Sequence, residues 1–139
     1  MEKHDLTARF NALNPFGRHN GLYAVSAGPD KAVMAAKVGP ESVNGYGGAH
    51  GGFLFSLADS CAGMLAVADG RAYVTLDANF HFLRAPHLGD ELTATGEPVR
   101  RGRTVSVMRV QITDQNGRLL AEGTFTMFCT ADTLPESIR

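Results

Sequence analysis

Residues Asn44–Ser60 read NGYGGAHGGFLFSLADS, five glycines within nine residues followed by an apolar run broken by one acid, Asp59. The apolar character continues to Ala68 and closes at Asp69-Gly70. A run from about His50 to Ala68 with little β-branching predicts a helix and not a strand. The segment is apolar nearly all round, so the rest of the chain has to enclose it.

Outward from this helix the pattern has period two. In Tyr73–Phe82, Val74, Leu76, Ala78, Phe80 and Phe82 alternate with Thr75, Asp77, Asn79 and His81, which reads as a half-buried strand. Three more strands follow, Glu91–Val99, Thr104–Thr113 and Leu119–Cys129, with turns at Arg101-Gly102 and Asp114–Gly117. Upstream, Leu22–Ala27 and Lys31–Val38 form a hairpin around Gly28-Pro29-Asp30. Residues 5–13 form a short amphipathic helix that stops near Asn14-Pro15, because the residue before a proline avoids the α region. The order predicts an α+β fold, a long central helix wrapped by a curved antiparallel sheet. One domain is expected over 1–139, with 1–20 as a helical lead-in.

Thirteen Lys and Arg balance fourteen Asp and Glu, a formal net charge of −1. No electrostatic case exists for nucleic acid or an anionic membrane surface. No apolar run reaches the roughly 18–20 residues that span a bilayer. The charged start MEKHDLTARF lacks the apolar core of a signal peptide, so a cytoplasmic location is expected. Cys61 and Cys129 are in no CxxC pair and read as buried thiols. The five His show no metal-ligand spacing such as H-E-x-x-H, and no metal is expected. Ala24–Gly28 faintly matches the G-x-S-x-G elbow of serine hydrolases, but it leads into a strand.

Within the helix, Ser56, Asp59, Ser60 and Gly63 fall at i, i+3, i+4 and i+7, a narrow stripe of small or polar side chains. Such a stripe can simply face solvent. It differs from an ordinary solvated face in having no Lys, Glu or Arg between His50 and Ala68. An acid there loses part of its water, and a carboxylate short of water is a stronger base. Gly51 and Gly52 stand in the first turn, where helix N–H groups have no internal partner and the dipole is positive. Missing side chains let a substrate oxygen approach and take up negative charge, as in an oxyanion hole. The glycines can equally relieve crowding where the helix meets the sheet.

The string N-x-x-G-x-x-H-G-G-x-x-F-S-L-A-D over Asn44–Asp59 resembles the signature of hotdog-fold acyl-CoA thioesterases, most nearly the phenylacetate-degradation (PaaI-like) group. DANFHFLRAPHLGDELTATG, Asp77–Gly96, is similar to that family's D-F-L-R-P…G-D-x-L-x-A segment, and the likeness spans roughly 40–125. Ala85 stands where many relatives have the proline of L-R-P. The resemblance implies a helix wrapped by an antiparallel sheet, dimerised edge to edge. It implies hydrolysis of an acyl-CoA thioester, of aryl or arylacetyl type first and medium-chain second, with no cofactor. It assigns Asp59 as general base or nucleophile, and the Gly51 N–H, helped by the Asn44 side chain, as the group polarising the carbonyl. Thr75 falls where a hydroxyl helps hold the water, and His50 shapes the entrance loop.

Asp59 lies eight residues beyond Gly51, roughly 12 Å along a helix and about 80° round it. Reacting atoms must approach within about 3–3.5 Å. Two chains about a two-fold axis resolve this, each helix N-terminus facing the partner's acid. A homodimer with shared sites is expected, and the resemblance adds a homotetramer. Cations for the CoA phosphates are sought in Arg100, Arg101, Arg103 and Arg84, although basic hairpin tips are usually just solvated. Gly52 and Phe53 are expected to line the substrate site, and Phe53, Leu57 and Met64 the acyl pocket. The alternative from another class is a non-catalytic acyl-CoA sensor on the same fold; the intact Asp59 favours the enzyme.

Overall fold

A computed structural model describes residues 3–138. In chain order the elements are α1 (Lys3–Leu13), α2 (Pro15–Asn20), β1 (Tyr23–Ala27), β2 (Ala32–Lys37), a 3₁₀ turn (Pro40–Ser42), α3 (Gly51–Val67), β3 (Ala72–Phe82), β4 (Glu91–Arg100), β5 (Val105–Thr113) and β6 (Leu119–Ala131). The six strands form one antiparallel sheet in the order β1-β2-β4-β5-β6-β3, and α3 packs along its inner face. This is the α+β arrangement that the helix-then-strands order predicts, and the hotdog fold that the resemblance implies. Among the described residues no helix is long and apolar enough to cross a membrane.

α3 buries Phe53, Leu54, Leu57, Ala58, Cys61, Ala62, Met64, Leu65 and Ala66 against the sheet. Each large apolar side chain so buried contributes about 1.5–3 kcal/mol. The helix is not fully enclosed, however. Ser56, Asp59, Ser60 and Gly63 are half-buried and Phe55 is exposed, so one face remains uncovered by the chain itself. Cys61 is buried and desolvation pushes its thiol up to about 12, an inert core group. Cys129 is half-buried, which corrects the expectation that both thiols are buried.

Two local features escaped the sequence reading. Pro15 does not merely end α1; it opens α2, where a proline at the first position loses no hydrogen bond and Asn14 Oδ1 accepts from the Gly17 N–H at 3.2 Å. The other is in β3. Thr75 pairs with Met127 and Asp77 with Thr126, leaving Leu76 as an extra, unpaired residue. This bulge switches the face on which the side chains lie. Phe80 and Phe82 stand opposite inward-facing Gly123 and Ala121, whereas beyond the bulge it is Thr75, opposite buried Met127, that points inward. Simple alternation had put Val74 and Leu76 there; both are exposed. Gly123 is required where it sits: a Cβ would stand 2.8 Å from the Phe80 ring that lies across it.

The sheet has two edges, treated differently. At β1 the Asn11 side chain of α1 donates to the Ala24 carbonyl at 3.0 Å and accepts from its N–H at 2.7 Å, occupying edge groups as a neighbouring strand would. β3, eleven residues long, carries no such cover among the described residues.

The C-terminal end of α3 is closed by a polar network. Arg101 donates to the carbonyls of Leu65 (2.7 Å), Ala66 (3.1 Å) and Pro29 (2.8 and 3.2 Å), and to Asp69 Oδ2 (3.2 Å). Asp69 also accepts from Tyr73 Oη at 2.6 Å and from the Arg71 side chain and N–H at 2.9–3.1 Å. Arg71 in turn reaches the carbonyls of Gly102 and Arg103, with its guanidinium carbon 5.2 Å from the Tyr73 ring centre. Burial pushes the Asp69 carboxyl up, but the Tyr73 hydroxyl, both Arg71 donors and the Arg101 charge outweigh it and hold it below the usual carboxylate range. A carboxyl lowered on folding stabilises the fold above its unfolded pKa, about 3.9, and that contribution disappears as pH falls through the folded value. Asp69→Asn is therefore expected to lose about 2 kcal/mol at pH 7. In urea titrations the gap to wild type should close below about pH 4. Equal stabilities at pH 7 would show that the network is incidental.

Candidate active site

The first turn of α3 is built by His50, which caps it in an extended conformation (φ −64°, ψ 137°). Four N–H groups at a helix start have no intrahelical carbonyl. Here the His50 N–H donates to the Ser42 carbonyl (2.7 Å), the Gly52 N–H to His50 Nδ1 (2.8 Å) and the Phe53 N–H to the His50 carbonyl (3.0 Å). The Gly51 N–H has no acceptor among the described residues. It borders a cavity of about 270 Å³ lined also by Ala49, Leu54, Phe82, Leu83, Arg84 and Ala85. A free backbone donor, the positive end of a seventeen-residue helix and an apolar wall meet in one place, an arrangement suited to an oxygen that gains negative charge.

The loop before the helix is held without strands. Asn44 Oδ1 accepts from the Tyr46 N–H (2.8 Å), its own N–H donates to Gly48, and the Ala49 N–H donates to Pro86 (2.8 Å), tying the loop to the segment after β3. The Asn44 side-chain NH₂ takes no part in this turn.

Two turns into α3, Asp59 is half-buried on the stripe, and Thr75 Oγ1 donates to its Oδ1 at 2.7 Å. The inward turn of Thr75 follows from the β3 bulge, so α3 and β3 together orient the carboxylate. A hydroxyl donor on one carboxylate oxygen leaves the other free to accept from a water or to attack. This is a positioning contact to the acid, where the resemblance implied a contact to the water.

Several expected site residues are placed elsewhere. Phe53, Leu57 and Met64 are buried in the core between helix and sheet, and none of them is among the residues lining the cavity beside Gly51. The Gly52 N–H is bonded to His50 and is not open to substrate. All five N–H donors of Arg101 are engaged in the network at the far end of α3, so none remains for a phosphate. Arg100 and Arg103 are exposed on the same hairpin, roughly 20 Å along the helix from Gly51 of the same chain. Arg84 lines the cavity beside Gly51. Phe82, the aromatic wall of that cavity, is not among the site residues expected from the sequence; its place at the end of β3, directly before Leu83-Arg84-Ala85, is the available signal.

Residues 46–121 match the thioesterase superfamily, more than half of the chain. This chain belongs to the thioesterase superfamily. The thioesterase is 33% identical over 101 residues to the acyl-coenzyme A thioesterase PaaI of Escherichia coli, covering 73% of this chain and 72% of that one. Its fold matches the E. coli PaaI protein from the phenylacetic acid degradation operon with a TM-score of 0.84, at 26% identity over 94% of this chain and 99% of the other. A hypothetical thioesterase of Streptococcus pneumoniae solved with coenzyme A has a TM-score of 0.78, at 41% identity over 81% of this chain and 91% of its own. The thioesterase is thus a PaaI-like hotdog protein and a thioester hydrolase, as the Asn44–Asp59 string implied.

The cap geometry makes His50 a structural residue of the site. His50→Ala should lose about 1 kcal/mol of stability, while His50→Asn, which can cap as well, should keep both stability and most thioesterase activity. A well-folded His50→Asn enzyme without activity would instead place the imidazole in the chemistry.

Proposed function

We propose that this protein hydrolyses aryl- or arylacetyl-CoA thioesters to the free acid and CoA, with medium-chain acyl-CoA as a poorer substrate. The observation that carries the reading is the Gly51 N–H, without an acceptor among the described residues, opening onto a largely apolar cavity on the same helix as a carboxylate held by Thr75. The thioester oxygen accepts from the Gly51 N–H, with the Asn44 NH₂ as a second donor. Asp59 takes a proton from water as it attacks the carbonyl carbon, or attacks the carbon itself. By the first route the C–S bond breaks as Asp59 gives that proton to the sulfur, leaving free acid and CoA thiol. By the second, CoA leaves as thiolate and takes a proton from water, and the hydroxide so formed cleaves the acyl-aspartyl anhydride to free acid and the Asp59 carboxylate. In the S. pneumoniae relative an aspartate and a threonine sixteen positions apart have each been replaced by alanine, the spacing of Asp59 and Thr75 here.

The two groups are eight residues apart on one helix, so a single chain cannot apply both to one carbonyl. The uncovered β3 edge, with Val74, Leu76 and Phe82 exposed beside it, supports a two-fold dimer in which one chain's Gly51 faces the partner's acid. In that arrangement Arg84, at the cavity, and the exposed Arg100 and Arg103 are the cations available to CoA phosphates. Two such dimers would form the tetramer.

A panel of arylacetyl-, aroyl- and straight-chain acyl-CoAs with free CoA detected tests the reading; no hydrolysis of any of them refutes it. Asp59→Asn should lower kcat a hundredfold or more with KM little changed, since the lost group acts in the transition state. The shared site predicts complementation. When Asp59→Asn and Asn44→Ala chains are unfolded together and reassembled, about half the dimers are mixed, each holding one intact site. Roughly a quarter of wild-type activity should return, and its failure to return in demonstrated mixed dimers would put both groups in one chain.

A further inference from the structure

Four phenylalanines form a connected cluster where α3 meets β3: Phe55, Phe80 and Phe125 touch one another, and Phe82 touches Phe80. Phe80 is packed edge-on against Phe55 (centroids 5.7 Å, 89°) and against Phe82 (5.1 Å, 87°), and tilted against Phe125 (5.8 Å, 55°). Phe125 is fully buried, Phe80 half-buried, Phe55 36% exposed and Phe82 55% exposed. The cluster therefore grades from core to surface, and its outermost ring is the one that lines the cavity beside the free N–H. Phe82 Cε1 and Cζ lie 3.5 and 3.6 Å from where a Cβ on Gly51 would be, ordinary van der Waals distance. A side chain at Gly51 would cover the ring, so the glycine keeps its face open to whatever is joined to a carbonyl held by the Gly51 N–H.

The geometry points to Phe82 as the specificity-determining residue for the acyl group, presenting a fixed ring to an aromatic acyl chain. The inference rests on the thioesterase reading above and adds the group that reads the acyl moiety. A ring held edge-on by Phe80, which Phe55 and Phe125 hold in turn, is already ordered before substrate arrives, so little rotamer freedom is lost on binding. An aryl group gains a ring–ring contact against it beyond the area it buries, whereas a methylene chain gains only the area. Of the remaining walls, Ala49, Leu54, Leu83 and Ala85 are apolar and small or flexible and do not distinguish a ring from a chain, and Arg84 is the cation proposed above for the CoA phosphates.

The test compares kcat/KM for phenylacetyl-CoA and hexanoyl-CoA in the wild type, Phe82→Leu and Phe82→Tyr. The aryl-to-alkyl ratio should fall about three- to tenfold in Phe82→Leu, the worth of one aromatic pair, while Phe82→Tyr keeps it. Equal losses on both substrates in Phe82→Leu, or an unchanged ratio, overturn the inference: the ring would then serve the CoA portion common to both, or the scaffold. A wild type that prefers hexanoyl-CoA overturns the aryl reading itself, a result separable from the first because it appears before any substitution. Should Phe82→Leu fail to fold, Phe82→Met, which keeps side-chain volume and loses the ring, gives the same comparison.

Discussion

A helix starts with donors that its own carbonyls cannot reach, and burying them unpaired is costly. The architecture around α3 follows from how those donors are treated. Ser42, His50 Nδ1 and the His50 carbonyl take three, and the Gly51 N–H is left with the helix dipole behind it. That exception is tolerable only where something outside the fold can supply an acceptor. The glycines, the cap and the cavity make sense together on that basis: the cap fixes the first turn, and the glycines leave room around one open donor.

The other end of α3 is closed with equal thoroughness. Arg101 covers the carbonyls of Leu65 and Ala66, and Asp69 fixes Arg101, Arg71 and Tyr73 at once. With both ends anchored to neighbouring loops, the helix cannot slide against the sheet. The axial separation of Gly51 and Asp59 is then set by eight residues of helical rise and not by side-chain adjustment. Thr75 fixes the carboxylate sideways from the sheet.

Much of this was legible in the sequence because it is carried by periodicity and local chemistry. The long helix, all six strands to within a residue or two, and the glycines ahead of Asp59 all follow from patterns inside one segment. What was not legible depends on pairing between segments. Nothing in Tyr73–Phe82 marks Leu76 as the extra residue, since alternation is unbroken there; only the register against β6 reveals that the inward face changes from Thr75 to Phe80. The arginine cluster misled for a similar reason. Its sequence shows charge, but whether a guanidinium is free depends on carbonyls from Pro29, Leu65 and Ala66, distant in the chain. Phe53 and Phe55 look alike in sequence two positions apart, yet one is core and the other exposed, because the direction of the sheet relative to the helix is a tertiary fact.

The stripe on α3 carries the last step. Ser56, Asp59, Ser60 and Gly63 could have been a solvated face, and in the isolated chain they are indeed half-open. A face meant only for water gains nothing from small residues, and long charged side chains there would favour solubility at no cost in packing. Asp59 is the one ionisable group on it, and its hydrogen-bond partner among the described residues is a neutral hydroxyl and not a cation. An acid kept without a cationic partner, on a face kept clear of bulk, beside a sheet edge without cover, fits a surface completed by a second molecule. The same requirement explains why the open N–H and the acid need not approach each other within one chain.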